Sequence, residues 1–110
     1  MNEYIAIKDF QKFKKKISLI KKTFPNDSFP ISLELIVFIC EQNFLGNEVT
    51  VNSLFTSVNF SYTAIRHHYL YLMKNGFITK KESTNDKRVK FVIPSCKSIE
   101  FINNLSSLDN

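Results

Sequence analysis

The sequence is poor in glycine and cysteine, with two of each, and it has three prolines and no tryptophan. Two isolated glycines, Gly46 and Gly76, cannot build a Gly-rich phosphate loop. Cys40 and Cys96 are far apart and form no CxxC, so neither a disulfide framework nor a zinc site is expected. No apolar run approaches the roughly 20 residues of a membrane helix. The first residues are too polar for a secretory signal. Nothing repeats internally, and no segment is of low complexity. There is no Ser/His/Asp grouping and no pair of carboxylates at useful spacing. These absences predict a reducing, cytoplasmic protein that is not an enzyme and carries no cofactor or metal.

What remains is 44% hydrophobic and includes eleven phenylalanines, enough for a real core. One domain is expected over residues 1–110. The net charge of +5 and pI of about 9.3 suit an anionic partner. The charge is unevenly spread. Residues 1–22 carry seven lysines against Glu3 and Asp9, and residues 61–90 carry seven cations against Glu82 and Asp86. Residues 23–60 carry acids only.

The stretch from Ser61 to Arg88 organises the chain. Ser61 can cap a helix. Ile65, His68, Tyr69, Leu72 and Met73 recur at helical spacing, with Thr63, Arg66, His67, Leu70 and Lys74 on the opposite face. Gly76 can take the left-handed conformation that stops it. Strands Phe77–Lys81 and Val89–Ile93 then flank a polar turn, Ser83–Lys87. A helix followed by a basic hairpin is the layout of a recognition helix and wing. An ordinary helix packed on an ordinary hairpin fits the same residues.

Around this stretch, residues 2–24 predict a first helix. Phe10, Phe13, Ile17, Ile20 and Phe24 form its apolar stripe among lysines. That stripe fits a membrane surface or, better, a partner subunit. Pro25 and Pro30 bracket a loop. Ser32–Gln42, capped by Ser32, is apolar nearly all round and predicts a buried central helix. Leu33, Ile36, Val37 and Cys40 share one of its faces. Val49 predicts a short strand, and Thr50–Val58 a short helix capped by Thr50. A tight turn at Asn59 and Phe60 leads to Ser61, completing a helix-turn-helix. Pro94 ends the second wing strand, and Ser95 or Ser98 starts a last helix reaching about Leu105. The division is thus 2–24, a core at 31–94, and 95–108.

This order resembles the MarR family of bacterial winged-helix regulators, in pattern over residues 31–95 and in position at the flanking helices. Three features carry the resemblance. Thr50-x-x-x-Leu54-Phe55 is similar to the start of the family's first helix-turn-helix helix, though Ala usually stands at Phe55. Ile65-x-x-x-Tyr69-x-x-Leu72-x-x-x-Gly76-Phe77-Ile78 is similar to the recognition helix and its exit. Asp86-Lys87-Arg88 is similar to the family's Asp-x-Arg wing motif. The short, Phe-rich chain also resembles the compact staphylococcal accessory regulators of that superfamily. Phe55 and His68 depart from the usual residues, and the terminal helices are short for a dimerisation region.

The resemblance implies a mainly α fold with a small β-hairpin wing, a winged helix-turn-helix. It implies a homodimeric regulator of double-stranded DNA, without membrane contact, and leaves a small-molecule effector open. Ser61, Tyr62, Thr63, Arg66, His67 and Lys74 are the expected recognition-helix contacts. Lys80, Lys81, Asp86, Lys87, Arg88 and Lys90 are the wing contacts. Arg66 suits guanine O6 and N7, and Thr63 a thymine methyl. Tyr62 and Tyr71 suit phosphates or half-burial. Asp86 is expected to orient Arg88 toward a minor groove. Phe10, Phe13, Ile17, Ile20, Ile99, Ile102 and Leu105 are the expected dimer contacts. His67 and His68 diverge by about 100° on a helix, which argues against a shared metal, and His68 is expected in the core on a backbone partner. Cys40 is expected in the core and Cys96 at the surface, with nothing nearby that would activate either thiol. Two other functions remain open: a winged helix used for protein interaction, and a low-specificity DNA-organising or plasmid-maintenance protein.

Overall fold

The computed structural model describes residues 7–24 and 29–108. Its elements are α1 (Ile7–Thr23), α2 (Phe29–Phe44), β1 (Val49–Thr50), α3 (Val51–Ser57), α4 (Tyr62–Lys74), β2 (Ile78–Glu82), β3 (Lys90–Pro94) and α5 (Cys96–Ser107). This is the expected winged helix-turn-helix. The start of the predicted first helix and the middle of the Pro25–Pro30 loop lie outside the described residues. The strands sit in the order β1-β3-β2, all antiparallel. Val49 pairs with Val92, and Lys81 with Phe91.

Helix α2 is the central element, packing against α1, α4, α5, β1 and β3. It begins at Phe29 and not at Ser32 as the sequence suggested. Pro30 sits in the first turn, where a missing N–H is no loss and the ring presets the helical φ. Ser32 is therefore inside the helix, fully buried, and does not cap it. The buried stripe is Ser32, Leu35, Ile36, Ile39 and Cys40, at i, i+3, i+4 spacing. The helix is not enclosed all round: Val37, expected on the buried face, is 43% exposed.

Both glycines end helices. Each has φ of 77°, in the left-handed region where a side chain is disfavoured. Gly76 N–H donates to Met73 O and Phe77 N–H to Leu72 O, at 3.2 and 2.9 Å. Gly46 N–H and Asn47 N–H do the same for Asn43 O and Gln42 O. The pairs satisfy helix-end carbonyls that would otherwise lack partners. At α3, Thr50 Oγ1 accepts from Ser53 N–H at 3.0 Å, and Ser53 Oγ accepts from Thr50 N–H at 3.1 Å. This reciprocal cap fixes where the helix-turn-helix starts.

Helix α5 is tied to the exit of α4. Ser95 Oγ donates to Gly76 O at 2.6 Å, and Ser98 Oγ to Phe77 O at 2.6 Å. Lys97 Nζ donates to Asn75 O at 3.0 Å and lies 4.2 Å from the Phe77 ring centre. Ser95 is the N-cap by position, but its hydroxyl is spent on Gly76.

No residue of α1 is fully buried. The helix is held by Leu19 and Ile20, which pack on the core, and by Phe24 just beyond its end. Phe24 is enclosed, 5.1 Å from the Phe77 ring and 5.3 Å from Phe101. Burying such a side chain contributes on the order of 1.5–3 kcal/mol, and each ring pair roughly 0.5–1.5 more. Phe24, with Leu19 and Ile20, thus anchors the end of α1, while Ile7, Phe10 and Phe13 stay exposed. The molecule measures 54 × 28 × 28 Å, with a radius of gyration of 16.0 Å against about 13 Å for a compact domain of this length.

Candidate nucleic-acid interface

Ser61 starts α4: its Oγ accepts from Ala64 N–H at 3.1 Å. From there residues advance by about 100° each. Ile65, Tyr69 and Leu72 are buried on one side. Arg66, Leu70, Thr63, Lys74 and His67 are all exposed and fill an arc of roughly 100° on the other side. The predicted division of this helix is the observed one. Met73 and Tyr71 are half-buried at the flanks. Tyr62 stands between the arc and the buried stripe, its ring stacked on Phe55 at 4.6 Å.

His68 is half-buried, but its partner is not the backbone group expected. Its Nδ1 and Ser32 Oγ are 3.2 Å apart and share a hydrogen bond, joining α4 to the start of α2. Burial lowers its pKa below 6.5, and the neighbouring His67 lowers it further. The imidazole is therefore neutral near pH 7 and serves the packing of α4. Tyr69 carries a buried hydroxyl without a partner among the described residues. Burial raises its pKa.

The wing turn is built by two short side chains. Ser83 Oγ accepts from Asn85 N–H and Asp86 N–H, at 3.2 and 3.4 Å. Asp86 Oδ1 accepts from Arg88 N–H at 3.0 Å and from Arg88 Nε at 3.2 Å, and Oδ2 from a terminal guanidinium nitrogen at 3.3 Å. The first bond shapes the turn, as Asp side chains do. The other two hold the guanidinium as a fork. The Arg88 side chain, followed by its backbone N–H, holds the Asp86 carboxyl below the usual carboxylate range. Arg88 remains 91% exposed, so the fork orients the arginine without hiding it.

The remaining expected contacts divide. Lys80, Lys81 and Lys87 are exposed and carry no ion pair among the described residues. Lys90 differs: Glu82 stands directly opposite in the sheet register, and its Oε1 accepts from Lys90 Nζ at 2.6 Å. Sequence reasoning missed this pair, although a turn at Ser83–Val89 places residues 82 and 90 across from each other. It also missed the Ser32–His68 bond and the Phe55–Tyr62 stack, which only the approach of separate helices creates.

The expected dimer contacts differ in how far a single copy exposes them. Ile20, Ile102 and Leu105 pack against the core of their own chain, because α5 and the end of α1 fold onto α2. Ile99 is half-buried. Phe10, Phe13 and Ile17 remain open, joined by Ile7, which is 76% exposed. Of the expected contacts, the open ones therefore lie along the outer part of α1. Cys40 is buried, which pushes its thiol up to about 11, and Cys96 is exposed. No helix among the described residues is long and apolar enough to cross a membrane.

No protein-family model and no curated protein matches the sequence. Solved structures do match. The S. aureus MepR–DNA complex superposes with a TM-score of 0.69 at 12% identity, over 91% of this chain and 77% of that one. AbsC, a MarR family transcriptional regulator from Streptomyces coelicolor, gives a TM-score of 0.63 at 11% identity, over 96% and 76% of the two chains. The chain has the MarR-type winged-helix fold. A probable transcriptional regulator from Pseudomonas aeruginosa gives 0.63 at 17% identity, over 97% of this chain and 77% of that one. The match covers α1 and α5 as well as the central unit, so the MarR-type likeness extends to the flanking helices. At such identities it concerns the fold and no individual side chain.

Proposed function

We propose that the protein is a sequence-specific double-stranded DNA-binding transcriptional regulator, cytoplasmic and homodimeric. The observation that carries this reading is the exposed arc of α4. It presents Arg66, Thr63, His67 and Lys74 together, and every buried residue of the helix lies on the other side. In helix-turn-helix units this helix enters the major groove, its first turns nearest the base edges. Ser61, Tyr62 and Thr63 lie in that first turn. Arg66 has the length and the paired donors to read guanine.

The wing supplies a second contact. The Asp86-held guanidinium of Arg88 suits a narrow minor groove, where negative potential is strongest. Lys80, Lys81 and Lys87 suit phosphates. Lys90, already paired with Glu82, contributes less. The stripe Ile7, Phe10, Phe13 and Ile17, which a single copy leaves in water, supports dimerisation. A two-fold pairing of α1 helices would set two recognition helices about one DNA turn apart. The S. aureus MepR–DNA complex, on the same fold, supports DNA as the partner class.

The test is a binding titration with the DNA upstream of the protein's own gene against unrelated duplex, at several salt concentrations. Tight, salt-sensitive binding with preference for the upstream DNA is the expected result. Equal, salt-sensitive binding to both duplexes would indicate a DNA-organising protein. Affinity that stays flat with salt, or no binding, would favour a winged helix used for protein interaction.

A further inference from the structure

We infer that Phe55 is a positioning residue for DNA binding, holding the Tyr62 ring so that its hydroxyl meets a backbone phosphate at the edge of the groove. The inference rests on the DNA-binding reading above and adds a role for the helix that precedes α4.

Tyr62 is the first residue of α4, and its ring lies on that of Phe55 in α3, 4.6 Å between centres and 26° between planes. Offset stacking of this kind is a favoured ring geometry. The tyrosine is nonetheless 64% exposed. Its hydroxyl has no hydrogen bond among the described residues. A ring fixed on one face, with an open far face and an open donor, is placed to receive something from solution. Phe55 is itself anchored: it is half-buried, packs on the core and lies 6.4 Å from the ring of buried Tyr69. A row of three rings therefore runs from the core to the surface, and Phe55 is its middle member.

Direction decides which part of DNA the hydroxyl suits. Tyr62 precedes Arg66 by four residues, so it stands about 40° round the helix from it, toward the buried stripe. It leans on α3 and away from the centre of the exposed arc. In helix-turn-helix complexes the first helix crosses the backbone while the second reads the groove. A donor leaning on α3 is thus suited to phosphate, which carries no sequence information directly. The stack also matters for affinity. Immobilising a free side chain on binding costs on the order of two- to tenfold, and a ring already held by Phe55 avoids part of that loss.

The experiment is a double-substitution cycle on the full chain, read as Kd for the upstream duplex and for an unrelated duplex. Tyr62→Phe keeps the stack and removes only the donor. It is expected to weaken binding about tenfold on both duplexes, the loss of one bond to a charged group. Phe55→Leu should weaken binding roughly three- to fivefold when Tyr62 is present and leave it nearly unchanged in the Tyr62→Phe background. Phe55→Tyr, which restores an aromatic face, should recover most of the lost affinity. A general loss of stability would not produce this dependence on the Tyr62 hydroxyl.

Equal loss from Phe55→Leu in both backgrounds, or no effect of Tyr62→Phe, would overturn the inference while leaving the DNA-binding reading standing. Failure of the unsubstituted protein to bind any duplex would remove both. Should Phe55→Leu not fold, the unsubstituted protein decides by NMR. Tyr62 ring protons are expected upfield from the stack in free protein and further perturbed by duplex. Random-coil shifts that do not move with DNA would refute the role.

Discussion

The wing lysines make a quantitative prediction about salt. Each phosphate neutralised by a cation contributes about −0.9 to the slope of log affinity against log salt. Arg66, Lys74, Lys80, Lys81 and Lys87 are exposed and without an ion pair among the described residues, whereas Lys90 is held by Glu82 at 2.6 Å. If three of these cations engage per subunit, a dimer neutralises about six phosphates and the slope is about −5. Raising salt from about 50 to 200 mM should then cost on the order of a thousandfold in affinity. Lys81→Ala and Lys87→Ala should each flatten the slope by about 1–2 per dimer and weaken cognate and unrelated duplex alike. Lys90→Ala should change it less, because its charge is already met across the hairpin. Glu82→Gln should steepen it by releasing Lys90. Fluorescence anisotropy with a labelled duplex at five or six salt concentrations measures all of these. Equal losses from Lys90→Ala and Lys87→Ala would show that the hairpin pair does not partition the charge as argued.

Arg66→Ala should cost roughly 1–3 kcal/mol on the cognate site and less on unrelated DNA; an equal factor on every sequence would remove α4 as the reader. Phe10→Ser with Phe13→Ser should convert the dimer to a folded monomer in light scattering, since both side chains are more than half exposed in one copy. A protein that is already monomeric at tens of micromolar would refute the dimer outright. For His68 the sign follows from a lowered pKa. Below pH 6.5 the unfolded chain takes up a proton that the folded chain resists, so the thermal midpoint should fall as pH drops, down to the folded pKa. His68→Gln should flatten that dependence, and a profile identical to the parent's would refute it. Tyr69→Phe removes a buried hydroxyl without a partner among the described residues, so melting temperature should hold or rise; a clear drop would reveal a partner for that hydroxyl.

The sequence by itself determined the order of elements and the faces of α4. Gly76, the Ser61 cap and the Ile65–Tyr69–Leu72 spacing act within a turn or two of helix, so local rules suffice to read them. The Asp86–Arg88 pair was legible for the same reason, since its atoms meet over two residues. Thr50 was legible as a cap, although the residue that returns its bond is Ser53 and not the usual Glu or Gln. Pro30 misled because a proline both breaks a helix and suits its first turn, and only position relative to the preceding chain tells which. The tertiary structure alone decided the long-range pairings. Ser32 could not be assigned to His68, 36 residues away, until α2 and α4 packed side by side. The apolar residues of α1 and α5 look alike in the sequence. Packing divides them: Phe24 is enclosed, Ile20, Ile102 and Leu105 are partly buried against the core, and Ile7, Phe10 and Phe13 are left in water. Phe55 shows the same limit from the other side. Its place in α3 beside Leu54 marked it as an inward-facing, bulky residue, but the stack with Tyr62 exists because two helices joined by a short turn bring their rings within 4.6 Å.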